Sequence, residues 1–344
     1  MHTLRIVFFG SPTFASTTLE HICAAGYLVV GVVTSPDRPS GRGQKITQSA
    51  VKLSALKLGL PIFQPTNLQS PIFQKQLIDM NPNLGLVIAF RMLPEMVWNF
   101  PVLGTVNLHA SLLPQYRGAA PIHHAIINGE TETGLSTFFL QHAIDTGNII
   151  ATCIIPIGPN ETMGELHDRM MQQGASLVGR TLFEIANNTT KSVVQQSDCL
   201  LNMAPKIDRG FCELSSGLSP NDFHNKVRGL SPNPGAWISS PWGDMKIHRG
   251  SPVFSSEIRP EDGNKISQAL PVISGIMKAN GVLGYQENNA TMVYPHGNFH
   301  FVVRTAAEKK IYIQLAVGFY EIIKLQLPNR PLMAAADFVN GLKK

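Results

Sequence analysis

The stretch Gly104-Thr-Val-Asn-Leu-His109 decides the fold class, because it is one of five short, apolar, β-branched runs in the first 186 residues. The others are residues 4–9, 27–34, 84–90 and 136–140, and helical periodicity occupies residues 14–25, 49–58, 71–80, 119–128 and 163–186. Such runs are typical of strands buried on both faces, with helices as right-handed crossovers. We therefore predict an α/β fold with a Rossmann-like parallel sheet in a catalytic domain over residues 1–186.

The loop after the first predicted strand argues against a nicotinamide cofactor. It reads Gly10-Ser-Pro-Thr-Phe-Ala15 and lacks the G-x-G-x-x-G pattern. A proline two residues past Gly10 does not suit a loop whose backbone must cradle a pyrophosphate.

Asn107 and His109 are candidate catalytic residues, because side chains two apart on a strand point to the same face. An amide can donate to a developing oxyanion, and an imidazole can exchange a proton near neutral pH. The segment Ile144-Asp145-Thr146-Gly147 supplies a carboxylate that would orient the imidazole and favour its charged form. Alone, N-x-H at a strand end is more often a capping Asn and a satisfied His. The apolar, turn-rich segment after it favours a shaped pocket beside a polar pair, suited to acyl or formyl transfer.

A second domain is predicted over residues 207–344, after a polar, aperiodic linker at residues 187–206. Its pattern predicts a helix at 220–228, a turn at 231–235 and strands at 236–239, 245–248, 281–285, 299–304, 311–315 and 321–327. Many short strands separated by turns indicate a small β-barrel, although periodicity alone does not distinguish one barrel type from another.

The bulk composition indicates a globular protein, with 44% hydrophobic and 15% charged residues. The four cysteines show no C-x-x-C spacing, so we expect reduced packing residues and no metal site. Without a signal-peptide pattern or a run of about 18 apolar residues, we expect a cytoplasmic protein that does not enter a membrane. We also expect a monomer. The whole net charge of +5 falls in residues 205–344, which fits a polyanionic partner and is also common on inert surfaces.

The pattern N-x-H-x-S-L-L-P-x-x-R-G-x-x-P from Asn107, followed by I-D-T-G, resembles the folate-dependent formyltransferases. The resemblance implies that Asn107, His109 and Asp145 are catalytic and that 10-formyltetrahydrofolate is the formyl donor. It also implies an OB-like form for the C-terminal barrel. The implied folate contacts are Ser111, Leu112, Leu113 and Pro114, with Phe90 and Arg91 as a further wall.

Three further segments narrow the resemblance to the branch of the family that formylates the initiator methionyl-tRNA. They are Ser35-Pro-Asp-Arg-Pro-Ser-Gly-Arg-Gly-Gln-Lys45, Met203-Ala-Pro-Lys-Ile207 and Arg228-Gly-Leu-Ser-Pro-Asn-Pro-Gly-Ala-Trp237. The implied tRNA contacts are Arg38, Arg42, Lys45 and Lys206. A flexible, cationic loop at the carboxyl edge of an α/β sheet is well placed to reach a nucleic acid, although such a loop is also an ordinary solvated surface.

The chain departs from the family pattern at Thr13, after Phe90 and at residues 141–143, which leaves the fine shape of the folate pocket open. The alternative functions are formyl transfer to glycinamide ribonucleotide or to an amino-sugar nucleotide, and hydrolysis of formyltetrahydrofolate. A non-catalytic RNA-binding protein on a degenerate enzyme scaffold is the alternative outside this class.

Overall fold

A computed structural model of the chain describes residues 3–40, 45–196, 200–253, 285–287, 291–304 and 309–342. The chain divides into two compact units. The first comprises Met1–Ile122, Glu132–Ile157 and Glu165–Lys206, and the second comprises His123–Thr131, Gly158–Gly164 and Ile207–Lys344. The described residues of the segment 187–206 belong to the first unit in this division.

Seven strands of the first unit form one sheet. The strands of this unit are β1 (Arg5–Gly10), β2 (Leu28–Val33), β3 (Arg38–Ser40), β4 (Lys45–Thr47), β5 (Ile62–Phe63), β6 (Leu84–Ile88), β7 (Thr105–His109), β8 (Arg117–Gly118), β9 (Glu132–Phe139), β10 (Ile149–Pro156) and β11 (Met203–Ala204). The sheet order is β10-β9-β7-β6-β1-β2-β5, while β3 pairs with β4 and β8 pairs with β11.

The five neighbouring strands β7, β6, β1, β2 and β5 are parallel to one another, which confirms the predicted Rossmann-like α/β fold. The predicted strand at 136–140 falls in β9, which runs antiparallel to β7. The sequence pattern did not predict β10, an antiparallel edge strand with exposed side chains at Thr152 and Ile154. Its mixture of buried and exposed residues fits neither a strand covered on both faces nor strict alternation.

The helices are α1 (Thr13–Ala24), α2 (Ala50–Lys57), α3 (Pro71–Met80), α4 (Glu95–Trp98), α5 (Pro121–Ile127), α6 (Met163–Ala186), α7 (Pro220–Gly229) and α8 (Ala335–Gly341). Serine caps begin two of the crossover helices: Ser49 accepts from the backbone N–H of Lys52 at 3.0 Å, and Ser70 accepts from that of Phe73 at 3.3 Å. Each cap satisfies an N–H group that has no partner inside its helix. Asn81, in the left-handed conformation, ends α3.

The second unit is built on an antiparallel sheet of β12 (Ala236–Ser240), β13 (Gly243–Val253), β14 (Tyr285–Glu287), β15 (Thr291–His296), β16 (Phe299–Arg304), β17 (Lys310–Gln314), β18 (Phe319–Gln326) and β19 (Met333–Ala334). Its order over the described residues is β12-β13-β18-β17-β16-β15-β14, with β19 paired to β18. The sheet curls into a half-barrel, in keeping with the expected OB-like domain.

The core of the second unit lies between this sheet and its helices. Phe223 of α7, Phe301 of β16 and Tyr320 of β18 are fully buried there. The predicted strand at 281–285 falls almost entirely outside the described residues, which resume with β14 at Tyr285. The sequence pattern did not predict β15, which pairs with β16 along its whole length.

Candidate functional site

The candidate site lies at the carboxyl edge of the parallel strands in the first unit. Residues 89–91 follow β6, residues 110–114 follow β7, and β6 and β7 are neighbours in the sheet. The carboxyl ends of parallel strands meet at one edge, where ligands bind in open α/β sheets.

Asn107 and His109 lie in the last three residues of β7, and their side chains share one face of the strand. Asn107 lies in register with Val87 of β6 and Phe138 of β9, and His109 lies in register with Ser136 of β9. The His109 side chain is buried and Asn107 is half-buried. Among the residues that the structure describes, none forms a hydrogen bond with the Asn107 side-chain amide. This amide is therefore an available donor beside a buried imidazole.

His109 lies between a backbone carbonyl and a carboxylate. Its Nε2 atom lies 2.9 Å from the carbonyl oxygen of Tyr116, and its Nδ1 atom lies 3.8 Å from Oδ2 of Asp145. A carbonyl only accepts, so Nε2 carries a proton in this arrangement. Protonation of Nδ1 would create an ion pair with Asp145, and both side chains are only about a tenth exposed.

Two glycines near Asp145 allow close packing of backbone segments. The backbone N–H of Gly118 donates to Asp145 Oδ2 at 3.0 Å, and Gly118 has a φ of 128°. A Cβ on Gly118 would lie 2.4 Å from the carbonyl oxygen of Ala204, and one on Gly147 would lie 1.6 Å from that of Phe139. Because backbone atoms cannot rotate away, both positions require glycine.

Asp145 itself adopts the left-handed backbone conformation, with a φ of 55°. Asp and Asn tolerate this region better than most residues, because their short polar side chains bond locally. The carboxylate thus projects from a backbone geometry that neighbouring groups must hold in place.

Gln195, a residue of the predicted linker, supports this turn. Its side-chain amide nitrogen donates to the carbonyl oxygens of Asp145 and Gly147, each at 2.8 Å. Its amide oxygen accepts from Nε and Nη2 of Arg117 at 3.1 and 2.6 Å. The sequence reasoning missed Gln195, since a polar residue in an aperiodic segment carries no periodic or motif signal.

The predicted folate-contact segment is a rigid, largely buried loop. Ser111 is fully buried and its hydroxyl donates to the carbonyl oxygen of Gln115 at 2.6 Å. The Ser136 hydroxyl donates to the Ser111 carbonyl at 2.8 Å and accepts from the backbone N–H of Leu113 at 3.2 Å. Leu113 is buried, whereas Leu112 and Pro114 are half-buried. Strand β9 thus fixes the loop that follows β7.

The Met203–Lys206 part of the second family segment packs along the candidate site loop. Met203 and Ala204 form β11, which pairs with Arg117 and Gly118 in β8. The carbonyl oxygen of Ala204 accepts from the backbone N–H groups of residues 119 and 120 at 2.7 and 3.1 Å. Lys206 follows β11 and is exposed.

Phe90 and Arg91 follow β6, which ends at Ile88, whereas the sequence pattern extended this strand to Phe90. The Arg91 guanidinium donates to the carbonyl oxygens of Pro65 and Thr66 at 2.5 and 2.9 Å and lies 5.6 Å from the centre of the Phe90 ring. Burial lowers the pKa of Arg91, and the charge of Arg38 lowers it further. The exposed Arg38 of β3 is thus close enough to Arg91 to add to a local positive potential.

Two of the predicted tRNA contacts are not described. Arg42 and the side chain of Lys45 lie outside the described residues, so their roles stay predictions. His142, a second imidazole near Asp145 in sequence, forms an exposed ion pair with Glu95 at 3.2 Å. Over the described ranges, no cluster of His, Cys, Asp or Glu could hold a metal ion, and no helix is both long and apolar enough to cross a membrane.

Comparison with known proteins identifies close relatives. A family model described as formyl transferase matches residues 4–182. The chain is 40% identical to a methionyl-tRNA formyltransferase of Bacteroides thetaiotaomicron over 99% of this chain and 96% of that protein. It is 46% identical to a methionyl-tRNA formyltransferase of Bacteroides fragilis over 98% of this chain and 95% of that protein.

Solved structures share the fold at low identity. A sugar 3N-formyl transferase, WlaRD, matches 96% of this chain and 100% of its own with a TM-score of 0.57 and 18% identity. HypX from Aquifex aeolicus in complex with tetrahydrofolic acid matches 100% of this chain and 48% of its own with a TM-score of 0.59 and 14% identity. At these identities the likeness concerns the fold.

Proposed function

The chain belongs to the methionyl-tRNA formyltransferase family, and from this premise we propose that it transfers the formyl group of 10-formyltetrahydrofolate to the α-amine of initiator methionyl-tRNA. The products are N-formylmethionyl-tRNA, which serves translation initiation, and tetrahydrofolate. One observation carries the assignment of the site: the half-buried amide of Asn107, without a hydrogen-bond partner among the described residues, lies two residues from a buried His109 that faces Asp145 at 3.8 Å.

The reaction requires the management of two charges. The amine nitrogen attacks the formyl carbon, whose oxygen becomes anionic while the nitrogen becomes cationic. The bond from the formyl carbon to the folate N10 atom then breaks. The amine loses one proton and N10 gains one, so the transfer is balanced without a covalent enzyme intermediate.

Asn107 is suited to the oxyanion. Its amide donates to no other group in the described part of the chain, and such a donor in a preorganised site typically contributes about 2.7–4 kcal/mol to transition-state stabilisation. A charged His109 adds a positive charge to the same face of β7. Together the two groups stabilise negative charge on the formyl oxygen.

Asp145 and His109 are suited to the proton transfers. Oδ2 of Asp145 accepts from Gly118 and faces His109, which leaves Oδ1 as the acceptor for the proton that the amine sheds. His109 is the proton donor for N10. Since His109 Nε2 donates to the Tyr116 carbonyl, delivery from this nitrogen requires that hydrogen bond to open first.

The loop after β7 fits the pterin of a folate. Leu112 and Pro114 offer half-buried apolar surface on a backbone that the Ser136 hydroxyl holds in place. Phe90 supplies an aromatic wall with Arg91 beside it. Rigid apolar walls with a few polar groups are typical of small-molecule sites. This chemistry supports folate binding by these residues.

Cationic residues support contact with tRNA. Arg38, Arg42, Lys45 and Lys206 are the proposed contacts in the first unit, and residues 205–344 hold all of the net charge of +5. Contacts from arginine and lysine to phosphates position a nucleic acid and lose affinity as salt rises. We assign the formyl-transfer reaction to residues of the first unit, and we assign part of the affinity for tRNA to the second unit.

A substrate comparison tests the proposal. The purified chain, with formyl-folate, is offered initiator methionyl-tRNA, free methionine, glycinamide ribonucleotide and an amino-sugar nucleotide, and product is measured for each. We expect a kcat/KM for the methionyl-tRNA at least about 10³-fold above every other acceptor, because only the tRNA is large enough to engage several of the proposed cationic contacts at once. Preferred use of another acceptor, or hydrolysis of the donor alone, would overturn the assignment.

A further inference from the structure

Gln195 connects two motifs that the sequence separates by many residues. One end of its side chain contacts the backbone of the turn that carries Asp145, and the other contacts Arg117 of β8. Gln195 is only 8% exposed although it lies in a polar segment. Its neighbour Gln196 is exposed and has no such contacts within the described residues.

The hydrogen bonds fix which way the amide points. Two guanidinium N–H groups of Arg117 face the amide oxygen, and two carbonyl oxygens face the amide nitrogen. A flipped amide would set its N–H groups against the guanidinium and its oxygen against the carbonyls of Asp145 and Gly147, losing four hydrogen bonds. The donors therefore stay on the Asp145 turn.

This turn needs external support. Asp145 has a left-handed backbone, and the 1.6 Å clash that a Cβ on Gly147 would make with Phe139 leaves no space on that side. Over the described ranges, the carboxylate has one backbone donor, the N–H of Gly118. Without the Gln195 amide, two carbonyls that flank the carboxylate would lose their donors, and the turn could relax away from His109.

We propose that Gln195, held by Arg117, is a positioning residue that sets the distance from the Asp145 carboxylate to His109. This inference rests on the proposed function, since it acts through the proposed catalytic carboxylate. The predicted linker therefore contributes to the site through Gln195, a buried residue that sets the catalytic geometry without touching substrate. A positioning error of about 1 Å in such a site can cost about 10²-fold in rate.

The test compares four variants of the full-length chain. Gln195→Met keeps the side-chain length and removes the amide. Gln195→Glu keeps an acceptor for Arg117 but cannot donate to the two carbonyls while it is ionised. Arg117→Met removes the guanidinium that holds the amide oxygen of Gln195. Gln196→Met is the matched control. We expect kcat to fall at least tenfold in both Gln195 variants and severalfold in Arg117→Met. In these three variants, KM for each substrate should stay within threefold of wild type. In Gln196→Met, kcat should stay within twofold of wild type.

A double-mutant cycle separates positioning from a general structural role. If Gln195 acts through the carboxylate, Gln195→Met has less than a twofold effect on kcat in the Asp145→Asn background. An equal loss of kcat in both backgrounds, or an unchanged kcat in Gln195→Met and Gln195→Glu, overturns the inference. If Gln195→Met does not fold, the Gln195→Glu and Asp145→Asn cycle gives the same comparison. Full activity of Asp145→Asn instead contradicts the proposed function, so the two failures are distinguishable.

Discussion

At the scale of single residues, the site depends on glycines that no other residue can replace. Gly147 lies one residue past Thr146 in the Asp145 turn, and a Cβ there would lie 1.6 Å from the carbonyl oxygen of Phe139. We expect Gly147→Ala to lower the melting temperature and to reduce kcat at least tenfold, because overpacking against backbone costs about 1–3 kcal/mol and displaces the turn. Gly341→Ala, where a Cβ meets no atom within 4 Å, is the control for thermal melting and steady-state kinetics. A Gly147→Ala enzyme with wild-type kcat would show that the turn does not set the site geometry.

The sequence gives more signal for the proposed catalytic residues than for the residues that support them. Asn107, His109 and Asp145 stand out because amide, imidazole and carboxylate together suit one chemistry. Gln195 and the carbonyl of Tyr116 gave no such signal, since any glutamine or any backbone carbonyl can make these bonds. Their roles depend on contacts between distant segments, which a single sequence does not specify.

At the scale of elements, strand β9 determines the shape of the loop that follows β7. The Ser136 hydroxyl satisfies the Ser111 carbonyl and the Leu113 N–H, both in buried surroundings. We expect Ser136→Ala to cost about 1–3 kcal/mol of unfolding free energy, because two buried backbone groups lose their partner. KM for the folate should rise more than KM for the tRNA. Urea unfolding and steady-state kinetics measure both effects, with the exposed Ser192→Ala as control, and equal changes in the two KM values would argue against a folate role for this loop.

The elements that the sequence pattern missed share a physical reason. Strand β10 mixes buried and exposed residues at a sheet edge, and β11 is two residues long and depends on pairing with β8. An edge strand such as β10 and a very short strand such as β11 form through tertiary contacts, so their sequences need little local propensity. The buried strands β1, β6 and β7 have apolar runs that predict them directly.

At the scale of the whole molecule, three histidines make stability depend on pH: His224 and His248 are buried, and His300 is half-buried. Burial lowers the pKa of His224, His248 and His300. At His224, the Pro159 carbonyl opposes this shift and the charge of Arg228 adds to it. At His248, contact with Gln326 opposes the shift and the charge of Lys246 adds to it. Folding therefore disfavours their protonation. Above about pH 6.5, the ordinary histidine pKa, these histidines are neutral in both states and do not make the unfolding free energy depend on pH. Below that pH, the unfolded chain binds protons that the folded chain excludes.

We therefore expect the unfolding free energy to fall as the pH drops from 7.5 to 5. His248→Leu removes this titration and fills the buried position with an apolar side chain. This variant should lose less stability than wild type over that range. His142→Leu, at a position 83% exposed, is the control in urea titrations at each pH. An identical loss in His248→Leu and wild type would show that this histidine does not contribute.

The central claim is that Asn107, His109 and Asp145 perform formyl transfer to methionyl-tRNA. The most direct test is the single-turnover rate constant of Asn107→Ala, His109→Ala and Asp145→Asn with saturating formyl-folate and initiator methionyl-tRNA, alongside far-UV circular dichroism. Each variant should fold as wild type does and react at least about 10²-fold more slowly, since each loses a positioned donor or acid–base group. A folded variant of any of the three that keeps more than a tenth of the wild-type rate constant would contradict the account.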